Sequence, residues 1–255
     1  MRGSSAVSGW ASAYWQGVRL LDGLDQGMRR QPVLLNVGGR QLRPRPGITI
    51  SRERFDEAEL SWVRGIPCAA PMRTTFDGMR LASDQVEAVV FLDMLLTSRL
   101  IELGDLQNYI AAKMGWNGVK QARKALALAV TGSRSPPETR LRLVWVLEAG
   151  LPTLLVNQPV FSLEGQLLGY PDGLDPDTGC VLEYDGEDHR DLQHHTSDND
   201  REELFEDHGL TVMRATRLNL GRDKPALIAR MRRTCQRAER RDRGLDRWTL
   251  DPPRR

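Results

Sequence analysis

Apolar positions follow two different spacings along this chain, and the change of spacing divides it. From Ala6 to Leu21, Trp10, Tyr14, Trp15, Val18 and Leu21 recur at near-helical intervals, which predicts a short amphipathic helix. Pro32-Val-Leu-Leu-Asn-Val and Gly47-Ile-Thr-Ile read as two strands separated by a basic loop, and a third short strand is expected around Trp62-Val63, ending before Ile66-Pro67. From Pro71 the pattern turns helical, with helices expected at 72–80, 84–100, 105–114 and 117–130. Thr131-Gly-Ser-Arg-Ser-Pro-Pro is a cluster of helix breakers and marks the expected domain boundary, giving domains of 1–131 and 132–255. Beyond it the predicted order is helix (136–149), strands (154–162, 166–170 and 180–184), a polar helix (197–207), a strand (210–215) and a long basic helix (225–241).

The stretch from Asp172 to Gly186 carries the chemistry. Cys180-Val181-Leu182 is an apolar, β-prone run, so it reads as a buried strand. Successive strand side chains point to opposite faces, so Glu183 and Asp185 share one face at the strand's end. A neighbouring strand before Asp175 would bring Asp172 beside them. Carboxylates converging in this way repel one another and are costly to desolvate unless a cation or proton compensates. A magnesium site for phosphodiester chemistry is built on that principle.

Composition narrows the classes. The 255 residues are enough for one large domain or two small ones, and the 40% hydrophobic and 27% charged content is ordinary for a soluble protein. No apolar run approaches the length of roughly 20 residues that a membrane helix needs, and no signal-peptide core follows Met1. Three isolated cysteines, Cys68, Cys180 and Cys235, fit a reducing cytoplasm and no disulfide framework. The net charge of +2 hides an asymmetry: from Arg214 onward there are 14 Lys/Arg against 5 Asp/Glu, leaving 22 of the 36 basic and 29 of the 34 acidic residues in the body. An acidic body with a basic C-terminal segment suits a protein that holds a polyanion against a metal centre, although a solvated arginine-rich tail has the same composition.

Several short motifs, in order, carry a resemblance. They are Glu138 in Ser-Pro-Pro-Glu-Thr-Arg-Leu-Arg-Leu, Asp172 in Gly-Tyr-Pro-Asp, Glu183-Tyr-Asp185-Gly186-Glu-Asp-His189, Asp200-Arg201, and Gly209-Leu-Thr-Val-Met-Arg214. Together the second half of the chain resembles the very-short-patch-repair (Vsr)-like endonuclease domains of the PD-(D/E)XK superfamily, found in many actinobacterial proteins. The resemblance implies an α/β fold with a PD-(D/E)XK nuclease-like core of order αβββαβ, a mixed sheet flanked by helices, beside a smaller α+β N-terminal domain. It also implies that Asp172 and Glu183 bind Mg²⁺ or Mn²⁺, with the Tyr184 carbonyl as an extra ligand. Asp185 stands where the superfamily usually has lysine, so it would serve as a further ligand or a base for the attacking water, with His189 as the proton carrier. Arg201 and Arg214 lie where the family has basic residues near nucleic acid, and Arg230 and Arg233 sit on the basic helix expected to grip DNA phosphates. The front half, through Ala6-Val-Ser-Gly-Trp-Ala-Ser-Ala-Tyr-Trp-Gln-Gly and Ile66-Pro-Cys-Ala-Ala-Pro-Met-Arg73-Thr-Thr-Phe-Asp77, is similar to abortive-infection-type antitoxins without their leading winged helix.

Each residue also has a structural role open to it. Glu138 completes a capping box with Ser135, and Asp172, Asp175 and Asp177 sit among the Gly and Pro of turns. Asp185-Gly186 reads equally as a hairpin turn, Arg73 and Asp77 as an intrahelical ion pair, and Arg201 and Arg214 as partners of nearby glutamates. The four histidines, His189, His194, His195 and His208, are irregularly spaced and accompanied by no Cys-x-x-Cys, which argues against zinc. The expected function is a cytoplasmic, metal-dependent endodeoxyribonuclease acting in defence against foreign DNA or in repair. The alternative is a catalytically inactive DNA-binding regulator of antitoxin type. No membrane association is expected, and a homodimer is compatible with either.

Overall fold

The structure, a computed structural model, describes residues 5–186 and 201–252. The chain divides into two compact units, Met1–Pro136 and Pro137–Arg255, a division five residues beyond the breaker cluster's first residue, and the N-terminal unit is the larger of the two, not the smaller one expected. It is mixed α/β throughout, and among the described residues no helix is long and apolar enough to cross a membrane.

The first unit holds a five-stranded mixed sheet and four longer helices. Its strands are β1 (Ala6–Ser8), β2 (Val33–Asn36), β3 (Ile48–Ser51), β4 (Leu60–Val63) and β5 (Ile66–Ala69), in the order β3-β2-β1-β5-β4. Here the expected helix over 6–21 is corrected. Residues 6–8 form the central strand, and only α1 (Gly9–Trp15) is helical, because Ala6 and Ser8 are buried between β2 and β5. β5 also departs from expectation. Arg64 and Gly65 both take positive φ, +50° and +79°, making the tight turn that folds β5 back on β4. Pro67 is tolerated because β1 pairs β5 only at Val7–Cys68, leaving no ladder bond for the missing N–H to supply.

The helices are α2 (Pro71–Arg80), α3 (Gln85–Thr97), α4 (Leu103–Ala111) and α5 (Val119–Leu128). The Asp84 side chain caps α3 by accepting the Glu87 N–H at 2.9 Å. Gly78 lets α2 and α3 approach closely, since a Cβ there would lie 2.1 Å from the Phe91 ring. The Arg73–Asp77 ion pair expected from their spacing is present at 2.9 Å, but it is the centre of a larger buried cluster. Arg73 also pairs with Glu59 at 2.8 Å and Glu53 at 3.2 Å, and lies between the rings of Phe55 and Trp116. Asp77 accepts from Ser8 Oγ and from Arg80, each at 2.8 Å. Lys113 and Tyr109 both bond the other oxygen of Glu59. Its carboxylates and cations answer one another, which is the condition for burying charge at all.

The second unit begins with α6 (Pro136–Leu143), continued by a π-helical turn, Val144–Glu148. Next come β6 (Val160–Ser162), β7 (Leu167–Gly169), β8 (Gly173–Asp175) and β9 (Cys180–Asp185). A helix, α7, occupies 201–207, followed by β10 (Thr211–Thr216), α8 (Arg217–Leu220), α9 (Lys224–Glu239) and β11 (Trp248–Thr249). Two three-stranded sheets form, β10-β9-β8 and β11-β6-β7. β8 and β9 make an antiparallel hairpin, and β10 runs parallel to β9 with α7 in the connection.

Alternate residues of β9 and β10 build two cores, as the pleat requires. Cys180, Leu182, Met213 and Ala215 pack with Trp145 of the π-helical turn and with Leu227, Met231 and Cys235 of α9. Val181 and Val212 pack on the other side with Phe205 of α7, Val160 and Leu168. The strand expected at 166–170 does not pair with β9; β7 belongs to the other sheet. Asp172 therefore precedes β8 instead of ending the strand before it. The sequence offered no warning, since Gly173-Leu-Asp lies inside a run of turn-forming residues.

Candidate active site and basic cleft

The β8–β9 hairpin positions the acids. Its turn is locked by Asp175, wholly buried, whose carboxylate accepts from the Asp177 N–H at 3.1 Å and from Thr178 Oγ1 at 2.7 Å. Gly179, at φ +72°, closes the turn. Asp175 and Asp177 are thus turn residues, as their neighbours implied.

Gly173 pairs Leu182 in antiparallel register, so one further step sets Asp172 opposite Glu183. Asp172 Oδ2 accepts the backbone N–H of Tyr184 at 2.8 Å. Glu183 is 6% exposed despite its charge, and its Oε2 accepts from Arg201 Nη2 of α7 at 2.8 Å. Arg201, expected at nucleic acid, is thereby placed against the acid of the hairpin. Asp185 is exposed at the end of β9.

Glu138 is tied to the same region through a residue that sequence reasoning missed. Asn157 donates from Nδ2 to Glu138 Oε2 at 3.2 Å, and from its backbone N–H to the Pro171 carbonyl at 3.0 Å. Asn157 has φ +50°, a conformation that asparagine adopts more readily than most residues. The segment before it reaches β8 through a Leu155–Leu174 bridge bonded in both directions at 2.8 Å. A lone asparagine in a loop gives no sequence signal of this kind. His189, His194, His195 and Asp200 lie outside the described residues. His208 closes the C-terminal end of α7, its Nδ1 2.8 Å from the Leu204 carbonyl.

Among the described residues no group of three His, Cys, Asp or Glu side chains could cage a metal. Two carboxylates suffice for an ion that keeps several of its waters, as Mg²⁺ does. Asp172 and Glu183 are hard-oxygen donors of that class, with Oδ2 of Asp172 engaged by the Tyr184 N–H and Oε2 of Glu183 by Arg201.

Arg214, Arg230 and Arg233 come together elsewhere in the unit. With Arg237, Val212, Met213 and Thr234 they line a cleft of about 580 Å³ between β10 and α9. Arg214 Nε pairs with Glu202 at 2.9 Å, one of the glutamate partners its position allowed. Arg230 Nη2 donates to the Arg214 carbonyl at 2.6 Å and to Asn219 Oδ1 at 3.3 Å. Arg233 and Arg237 are exposed. The spacing 230, 233, 237 is one helical stripe, so Arg237 was legible beside the two residues singled out. Comparison of the chain with family models, with curated proteins and with solved structures finds no match in any of the three.

Proposed function

We propose that the second unit is a metal-dependent endonuclease with a PD-(D/E)XK-like core of the Vsr-like kind. The observation that carries this is the register of the β8–β9 hairpin, which sets Asp172 opposite a buried Glu183. The antiparallel β8–β9 hairpin followed by α7 and the parallel β10 matches the end of the αβββαβ order, whereas β6 and β7 make four strands between α6 and α7 and pair in a separate sheet. Asp172 and Glu183 would hold Mg²⁺ or Mn²⁺, which supplies an acidified water and offsets charge on the phosphodiester. Asp185, at the solvent end of the strand, accepts a proton from the attacking water, and His189 carries protons onward. Asn157 holds Glu138 toward the hairpin, where its carboxylate supports the same centre. The substrate is DNA, and the role is in defence against foreign DNA or in repair.

One observation favours the second reading, an inactive DNA-binding regulator: the buried Glu183 already carries a guanidinium, that of Arg201. Incubating purified protein with supercoiled plasmid and Mg²⁺ or Mn²⁺, beside Glu183→Ala, separates the two. Nicking by the wild type that is lost in the variant supports the enzyme. DNA retardation by both proteins without nicking supports the regulator.

A further inference from the structure

The arginine-lined cleft has features of a binding site in its own right. β10 lies at the edge of its sheet, where backbone groups are open to a ligand or another chain. α9 lies alongside and turns Arg230, Arg233 and Arg237 toward that edge, while Leu227, Met231 and Cys235 on its adjoining face are buried in the core. The arginine stripe is therefore carried on a helix anchored by packing. Among the described residues no carboxylate lines the cleft, and Glu202 reaches Arg214 from α7. Arg230 is fixed by its two Nη2 bonds, yet its buried Nε–H has no acceptor among the described residues. A buried donor left in that state is costly, and an anionic oxygen is the acceptor that suits it.

We infer that this cleft binds consecutive phosphates of a nucleic-acid backbone, through Arg230, Arg233 and Arg237. Guanidinium groups one helical turn apart, with no base-reading aromatic among the lining residues, give contacts to phosphate without sequence preference. Arg214, on its wall, is the cross-strand partner of Glu183, but the side chains of both follow Val181 and Val212 onto the α7 face of the sheet, where they meet Glu202 and Arg201, whereas α9 packs on the opposite face. The cleft is therefore a site separate from the acids. The inference shares its polymer with the nuclease reading but requires no cleavage.

The test uses the full chain in EDTA, so that hydrolysis plays no part. Binding of a fluorescein-labelled DNA duplex is followed by anisotropy from 50 to 200 mM salt. The Arg233→Glu/Arg237→Glu double variant is expected to bind at least about tenfold more weakly, with a salt slope shallower by about two. The charge-matched control Arg123→Glu/Lys124→Glu, on exposed positions of α5, is expected to stay within about twofold of wild type, since neither residue is among those lining the cleft. An equal loss in the control, or unchanged binding by the cleft variant, overturns the inference. So does displacement of the DNA by polyglutamate at equal charge concentration, which would mark the cleft as a site for acidic protein. Both substituted arginines are exposed, and an unchanged melting temperature shows that the fold is retained. Glu183→Gln keeps DNA binding if the cleft is correctly assigned, whether or not the nuclease reading survives.

Discussion

The carboxylate of Asp172 accepts the backbone N–H of Tyr184 at 2.8 Å, joining two positions 12 residues apart. The bond places the acid at the outer end of β9, beside the neighbouring Glu183, and it gives Asp172 a structural task that is separable from any metal. Asp172→Ala removes the acceptor and should cost about 1–3 kcal/mol. Asp172→Asn keeps an acceptor and should cost less than about 1 kcal/mol, while losing the negative charge. Denaturant unfolding together with Mn²⁺ titration checks this. The asparagine variant should be stable and fail to bind the ion.

Arg201 supplies positive charge to a buried acid, and so would a divalent cation. Its side chain is 40% exposed, so the loss in Arg201→Ala is expected to be modest, about 1–2 kcal/mol. Added Mg²⁺ should raise the melting temperature of this variant more than that of the wild type, because an ion that binds the folded state stabilises it by mass action. Equal shifts in both proteins would dissociate Arg201 from the metal site.

In the first unit Asp77 is wholly buried and accepts from Ser8, Arg73 and Arg80. Asp77→Ala leaves two buried guanidinium groups short of a counter-charge and should destabilise the unit by about 3–5 kcal/mol. Thermal unfolding reads the loss directly.

The Glu59 carboxyl is pushed up by burial, but hydrogen bonds from Lys113 and Tyr109 and the charge of Arg73 outweigh this and hold it below its ordinary value of 4.5. A carboxyl depressed in the folded state stabilises the fold above the unfolded-state pKa, and that contribution disappears as pH falls through the folded-state pKa. Stability of the first unit should therefore be level above about pH 5 and decline below about pH 4, and Glu59→Gln should make the decline shallower. A melting series between pH 3 and pH 7 checks the sign, with a decline on the alkaline side as the contrary result.

All three cysteines are buried, and burial pushes the thiols of Cys180 and Cys235 up to about 12 and about 11, with Cys68 also raised. Little thiolate exists at pH 8, so a thiol reagent should label none of them in the folded protein and all three in denaturant.

Much of the architecture follows from local rules. The helices at 71–80, 85–97 and 119–128 show in their apolar spacing and breakers, and Cys180-Val-Leu marks a buried strand from composition alone. The pairing of alternate acids on that strand needs only the pleat, and the basic stripe of α9 needs only 3.6 residues per turn. What local rules cannot reach is the choice of partners. Ala6-Val-Ser is a strand because two others flank it, and Gly173-Leu-Asp is a strand because β9 offers it a ladder; neither has the side chains to declare it. The pairing of Arg201 with Glu183 and the link from Asn157 to Glu138 join residues 18 and 19 positions apart, across elements whose packing brings them together. Charge and hydrophobicity in a sequence state what must be compensated or buried, and only the folded chain decides by which neighbour.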